Sequence, residues 1–407
     1  MMNPGALPGD ARGNRDTPEG PRPATVCYVL SLKNGVHSFI FREIEELHRL
    51  GVRVVILAVS AGRGPYMPRP EWPVVGRSVR GMLRGLAHAL LRNPADLLRL
   101  SRTSLKTGTT VDLAIGLSFL DAASRHHPMS IHSHFGDRKL FVGYYLSRLL
   151  HRPLTVTIHA YELYANPNPR AFRQFLGSCA AVVTVSDYNR RILQDVYRVE
   201  ASRTFVVRLF PWELPEIRED KKSGPFTILC VARFVPKKGL DVLLKAVKRI
   251  IDGGHSDVRL ILVGKGPIDI RSMIEEMELS SYVDVLSDVS EETLRSLYEK
   301  ADAFSLLSKT ASGGDREGIP VSIMEAMSYG LPIVTTAHSG IPELVRETIV
   351  PEDDPETAAK ALLALKEAPD RGRGRGLENR AVIRARYSPD NVKDLLEVFR
   401  RAQDATA

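Results

Sequence analysis

Long hydrophobic runs are missing from this 407-residue chain, and no stretch approaches the roughly 20 apolar residues that a membrane-crossing helix needs. The first 23 residues (MMNPGALPGDARGNRDTPEGPRP) are polar, rich in proline and glycine, and lack the apolar core of a secretion signal. The expectation is a disordered tail over 1–23 on a cytoplasmic protein. Cysteine is scarce: Cys27, Cys179 and Cys230 each stand alone in an apolar run, and none forms a CxxC pair. Buried free thiols are expected, not disulfides. No DxD occurs, so a divalent cation bridging a diphosphate is not indicated. No Walker A loop and no GxGxxG turn occurs either. His126, His127, His132 and His134 cluster, but no cysteine or acidic spacing joins them, and neither a metal nor another cofactor is expected.

Hydrophobic residues make up 43% and charged residues 26%, the balance of an ordinary globular protein. The net charge of +8 favours anionic partners. From Ala24 onward, short β-rich runs alternate with helix-length amphipathic stretches. Strands are expected at 26–30, 52–59, 129–135, 154–159, 180–185 and 204–209. Residues 209–225 (LFPWELPEIREDKKSGP) break the pattern and read as a linker. It restarts with strands at 226–232, 258–264, 282–287, 301–307 and 331–336. Apolar strands alternating with helices predict parallel, doubly wound sheets. An α/β chain of two Rossmann-like domains follows, over 24–210 and 211–387. A last helix begins near Ser388, with Pro389 in its first turn.

Two segments stand apart. Residues 76–110 interleave arginines with leucines and hold few acids. They read as an inserted, solvated helical pair or as a basic amphipathic surface for peripheral contact with an anionic membrane. The RGRGRG run (371–376) lacks interleaved aromatics and reads as a flexible loop, and no nucleic-acid partner is expected.

The chemistry concentrates at strand ends. Glu317 and Glu325 lie eight positions apart, with Gly318, Ile319, Pro320 and Val321 after the first. This reads as strand, loop, helix: Pro320 suits a first helical turn, and two turns would bring the carboxylates near one face. The freed N–H groups of that helix start favour an anion. Arg233 and Lys238 follow a strand and precede a helix near Gly239, which suits a diphosphate cradle; a pair of surface cations is the alternative. Lys237 reads as a solvated neighbour. Gly264, in Val263-Gly264-Lys265-Gly266, permits close approach of backbone to a ligand. His159 ends a strand, where it contacts a substrate or sits as a satisfied core histidine. Asn34-Gly35 follows the first strand, where a tight turn either exposes N–H groups to a ligand or serves as a simple turn.

Together these residues resemble the retaining GT-B glycosyltransferases of family 4 (glycosyl transferases group 1), and within it bacterial exopolysaccharide and colanic-acid-type enzymes. The likeness runs from about Ala24 to Arg401. It rests on DREGIPVSIMEAMSYGLPIV (315–334), HSGIPELV (338–345), Arg233 with Lys238, IHSHFG (131–136) and TIHAYE (157–162). The resemblance implies two Rossmann-like domains facing a cleft, with the segment 388–407 returning to the first. It implies α-glycosyl transfer with retention, without a metal, from a nucleotide sugar, with UDP favoured, to a glycan or lipid-linked acceptor at the cytoplasmic membrane face. Arg233 and Lys238 would hold the diphosphate, Glu325 the ribose, and Glu317 and residues 318–321 the sugar or phosphate. His159 would lie near the reacting carbon and Gly35 against the phosphates. The first loop, LSLKNGVHSFI (30–40), departs from the Ser-Glu-Thr-Phe type of relatives, so the acceptor side transfers least. A small-molecule acceptor and a non-catalytic nucleotide-sugar-binding protein are the alternatives.

Overall fold

Strand β1 (Thr25–Ser31) leads into helix α1 (Ser38–Arg49), β2 (Arg53–Ser60) and a short β3 (Val74–Gly76) in the computed structural model, which describes residues 23–217, 224–346 and 348–405. The expected tail lies outside those residues, save Pro23. Helices α2 (Val79–Arg92), α3 (Pro94–Thr107) and α4 (Thr110–Ser124) precede β4 (Ser130–His134). With β5 (Leu154–Ile158), β6 (Ala181–Thr184) and β7 (Thr204–Val206), they complete a parallel sheet of order β3-β2-β1-β4-β5-β6-β7. β1, β4 and β5 are buried almost throughout, as strands covered on both faces must be.

A second parallel sheet has the order β10-β9-β8-β11-β12-β13. Its strands are β8 (Phe226–Val231), β9 (Val258–Val263), β10 (Val283–Leu286), β11 (Ala303–Leu306), β12 (Ile333–Thr336) and β13 (Ile349–Val350). Strand order reverses between β1 and β4 and again between β8 and β11. Open α/β sheets bind ligands at the carboxyl ends beside such reversals. The final helix, Asn391–Asp404, buries Val392, Leu395 and Phe399 beside Val26, Tyr28 and Ile56 of the first sheet. Two doubly wound sheets across a cleft, with the last helix returned to the first, form the GT-B arrangement.

Two short strands were not expected, and two expectations need correction. β3 and β13, three and two residues long, are too short for any period to show. The final helix starts at Asn391 after Asp390; Ser388 and Pro389 form the turn before it. The RGRGRG run is helical, inside Pro369–Arg386. Gly372 and Gly376 lie four apart on one buried face, and a Cβ at Gly376 would stand 1.8 Å from the Gly330 carbonyl oxygen. Close backbone packing there outweighs glycine's poor helix propensity.

α2 and α3 do form a helical pair. Gly85, Ala89, Leu97 and Leu100 face inward, while Leu83, Leu90, Leu91, Leu98 and Leu105 are exposed. Among the described residues no helix is long and apolar enough to cross a membrane. All three cysteines are buried and free, their thiols pushed up to about 12 by burial.

Candidate active site

The loop between β11 and the helix Val321–Ser328 carries Glu317. Pro320 occupies the N-cap position, one residue before the helix, and not its first turn. Only Glu325 is helical, so the two-turn relation between the carboxylates does not hold, and the two meet different partners. Glu317 Oε2 lies 3.1 Å from Lys238 Nζ, and Oε1 lies 3.5 Å from Lys237 Nζ without a hydrogen bond. Burial pushes this carboxyl up, but Lys238 and Lys237 overcome it and hold it below the usual carboxylate range. Lys237 is not a solvated neighbour: its Nζ also reaches Asp315 and the Arg316 carbonyl, at 3.1 and 3.2 Å. The backbone N–H of Glu317 donates to His338 Nε2 at 3.0 Å, and Glu352 Oε1 lies 2.7 Å from His338 Nδ1. With Nε2 accepting, the proton of this buried imidazole sits on Nδ1.

Arg233 follows β8 and is exposed, with no ion pair among the described residues. Gly264 has φ +148, and a Cβ there would stand 1.9 Å from the Ala232 carbonyl oxygen. The close approach this glycine permits is therefore between the loops after β9 and β8. Buried Ile319 joins the second domain's core, and Val321 opens the helix.

Glu325 faces the other domain. Its Oε1 accepts from Arg42 of α1 at 2.6 Å, and its Oε2 accepts from the Tyr298 hydroxyl at 3.2 Å. Arg42 also donates to the Phe210 carbonyl at 2.8 Å, and its guanidinium lies 5.3 Å from the centre of the Trp212 ring. Arg42 was not legible as a site residue: within SFIFREIEELHR it looks like any polar helical position. Arg42, Tyr66, Trp212, Leu294, Tyr298 and Glu325 line a pocket open to solvent.

Across the cleft, His159 follows β5. Its carbonyl accepts from Asn189 Nδ2 at 2.6 Å, and a Cβ on Gly318 would stand 2.7 Å from the same oxygen. The 317–318 backbone thus abuts the His159 turn. Phe39 and Phe135 flank the imidazole, with ring centres 4.7 and 4.5 Å away. Phe135 holds φ +73, a left-handed conformation rare for an aromatic residue. Buried Glu162 ties the turn together by accepting the N–H groups of His159 and Ala160 at 2.8 and 3.1 Å. Gly35, at φ +74, packs on the Tyr66 carbonyl. Ser31, Val36, His37, Ile40, Phe135 and Lys139 line a second, smaller pocket at the carboxyl ends of β1 and β4.

Of the clustered histidines, His132 and His134 are fully buried. Glu43, an acid that sequence spacing did not link to them, brings three potential ligand atoms within 4.8 Å of one another. Hydrogen bonds already engage them. His132 Nδ1 and Nε2 meet the Thr155 and Thr157 hydroxyls at 2.9 and 3.2 Å, and His134 lies between Glu43 and His159.

Residues 33–209 match the Glycosyltransferase Family 4 model, and residues 215–386 match that for glycosyl transferases group 1. The amylovoran biosynthesis glycosyltransferase AmsK of Erwinia amylovora is 38% identical over 153 residues, 36% of this chain and 38% of that protein. A GDP-mannose-dependent phosphatidylinositol monomannoside mannosyltransferase of Mycobacterium tuberculosis is 27% identical over 259 residues, 59% of this chain and 66% of that one. The match spans under two fifths of the length of the first curated relatives. Anabaena HepE in complex with UDP superposes with a TM-score of 0.70 at 18% identity, covering 92% of this chain and 98% of that one. This likeness shows the fold. With both halves matched in order and the GT-B fold in place, the chain belongs to glycosyltransferase family 4.

Proposed function

We propose that this protein is a retaining, metal-independent transferase that moves a sugar from a nucleotide sugar, UDP-linked by preference, to a glycan or lipid-linked acceptor. The observation that carries this reading is the Lys238–Glu317 ion pair, 3.1 Å long, set against the His159 turn of the other domain. Arg233 and Lys238 supply positive charge for a departing diphosphate, which no DxD-bound cation is needed to neutralise. Glu317 accepts from donor-sugar hydroxyls, and the N–H groups of 318–321 meet phosphate or sugar. Glu325 accepts from the ribose, His159 stands at the reacting carbon, and Gly35 borders the phosphates. The C1–O bond to phosphate breaks while the acceptor oxygen bonds C1 on the same face. The acceptor's proton passes to the departing phosphate oxygen. The protein contributes position and charge stabilisation. HepE's complexes with UDP and with UDP-glucose support UDP as the first donor to try.

Thermal unfolding with UDP-, GDP-, ADP- and dTDP-sugars tests it, on wild type and Arg233→Ala. A ligand at 100 times its Kd adds roughly 2.7 kcal/mol. One nucleotide sugar should stabilise the wild type and not the variant. No shift with any of them removes the donor reading.

The acceptor is proposed to lie at an anionic, cytoplasmic membrane surface. The exposed leucines of α2 and α3 stand among Arg80, Arg84, Arg92, Arg99, Arg102 and Lys106, with Asp96 as the acid in these helices. Apolar side chains that insert and cations that meet headgroups suit an anionic bilayer. Co-flotation with anionic but not zwitterionic vesicles, lost in Leu91→Ser/Leu98→Ser, is expected. Flotation unaffected by those substitutions overturns the assignment.

A further inference from the structure

Behind His159 runs a buried chain of polar groups that the proposed chemistry leaves unused. Tyr28 comes from β1, Glu43 from α1 and His134 from the end of β4, and all three are buried. The Tyr28 hydroxyl donates to Glu43 Oε1 at 2.6 Å, and His134 Nε2 lies 3.0 Å from the same oxygen. His134 Nδ1 lies 3.1 Å from His159 Nε2. We propose that Glu43 and His134 are positioning residues that fix the His159 tautomer, with the proton on Nε2, so that Nδ1 meets the sugar as a hydrogen-bond acceptor.

The order of protons follows from what each group can do. Burial, reinforced by Glu43, raises the Tyr28 phenol well above its ordinary range, so it keeps its hydrogen and donates. The carboxylate oxygen that accepts it also accepts from His134 Nε2–H. With one ring proton, on Nε2, His134 has a lone pair to offer at Nδ1, and a proton on His159 Nε2 completes the pair. Burial, with His134 next, lowers His159 well below the ordinary histidine range, so it carries one ring proton. A ring with a single proton on Nε2 presents Nδ1 bare. A sugar or acceptor hydroxyl can then donate to it, whereas a substrate oxygen without hydrogen gains nothing there. The chain also holds the ring plane: Phe39 and Phe135 flank it, and Nε2 is tethered from behind. A fixed tautomer held by an outer carboxylate is a general device of histidine sites.

The inference rests on His159 standing at the donor sugar, and the test separates the two claims. Protein labelled with nitrogen-15 in histidine reports each ring's tautomer by nuclear magnetic resonance, with the His159 signal identified by its absence in His159→Ala. The wild type is expected to hold His159 as the Nε2–H form. Glu43→Met removes the acceptor oxygen while keeping the volume. It should give a mixture containing Nδ1–H and lower kcat on the order of 10- to 100-fold, the usual cost of losing such an outer partner. Glu43→Gln keeps an oxygen at that place and should keep both the tautomer and most of kcat. A wild-type Nδ1–H ring overturns the inference without any variant, so the question is answerable even if Glu43→Met fails to fold. An unchanged tautomer and kcat in a folded Glu43→Met overturns it too. Full turnover in His159→Ala instead overturns the placement of His159 at the donor, and leaves the wild-type tautomer as measured.

Discussion

Arg42 and Glu325 belong to different domains, and their side chains meet 2.6 Å apart with only 4% and 19% of their surfaces in water. The pair bridges the cleft at the carboxylate proposed to take the ribose. Arg42→Ala leaves that carboxylate without its cation and the Phe210 carbonyl without its donor. Removing one partner of a buried pair costs roughly 3 kcal/mol, and denaturant unfolding of the donor-free protein should show a loss of that order. Arg42→Lys, which has no fork to serve both acceptors, should recover less than half. Wild-type stability in Arg42→Ala would mean that the two domains close without this contact.

Gly318 is the second cross-cleft constraint. A methyl group there meets a carbonyl oxygen at 2.7 Å, closer than real Cβ contacts come, and the obstacle is backbone. Gly318→Ala should push the loop off the His159 turn and cut turnover by at least 10-fold. Its unfolding midpoint should stay within a few degrees, because the clash lies between domains and not inside either core. Steady-state kinetics beside thermal unfolding check this; unchanged turnover would show that the productive state is more open.

Lys238 is expected to act on the barrier more than on the fold. It opposes the charge of Glu317 in the donor-free protein and, in the proposed reaction, that of the departing diphosphate. Lys238→Ala should lower kcat by roughly 10²- to 10³-fold, as loss of one preorganised charge stabiliser does elsewhere. Stability should fall little, since Lys237 remains 3.5 Å from Glu317. Single-turnover rates with the stabilising nucleotide sugar decide it: a rate within threefold of wild type removes Lys238 from the chemistry.

The strand series was legible because parallel, doubly buried strands read as unbroken apolar runs, and Val26 to Leu30 or Ile228 to Cys230 cannot be much else. The loop after β11 was legible because Glu317, Gly318 and Pro320 fall between a strand and a helix. What did not show were partners remote in sequence. Arg42 lies 283 positions from Glu325, and Glu43 lies 91 from His134. On a helix they follow the polar pattern of any solvated residue, and only the fold turns them inward. The RGRGRG run misled for a related reason: local propensity counts its glycines against a helix, but Gly376 sits where the Gly330 backbone must come close.

The buried histidines give the protein an acid limit with a defined sign. His132 and His159 are held well below the ordinary histidine range, by burial first and by neighbouring histidines next. Above about pH 7 folded and unfolded chains both carry them neutral, and they contribute no pH dependence. As pH falls through about 6.5 the unfolded chain takes up protons that the folded chain refuses, so stability is lost by up to about 1.4 kcal/mol per pH unit for each ring. Two carboxyls raised by burial, Asp112 to about 6 and Glu162, act in the opposite sense, but only once pH has fallen to their own range. The loss should therefore begin between pH 7 and 6, with Asp112 already offsetting part of it toward the lower end of that window. His132 is the cleaner ring to remove, since its nitrogens meet only threonine hydroxyls. His37, lowered to about 4, and His126, also lowered, both chiefly by burial, refuse protons in the same window. In His132→Asn the slope of unfolding free energy against pH should therefore fall by one ring's share, at most about 1.4 kcal/mol per pH unit, whatever the substitution does to stability at pH 8. An unchanged slope would mean that His132 already takes up its proton in the folded state.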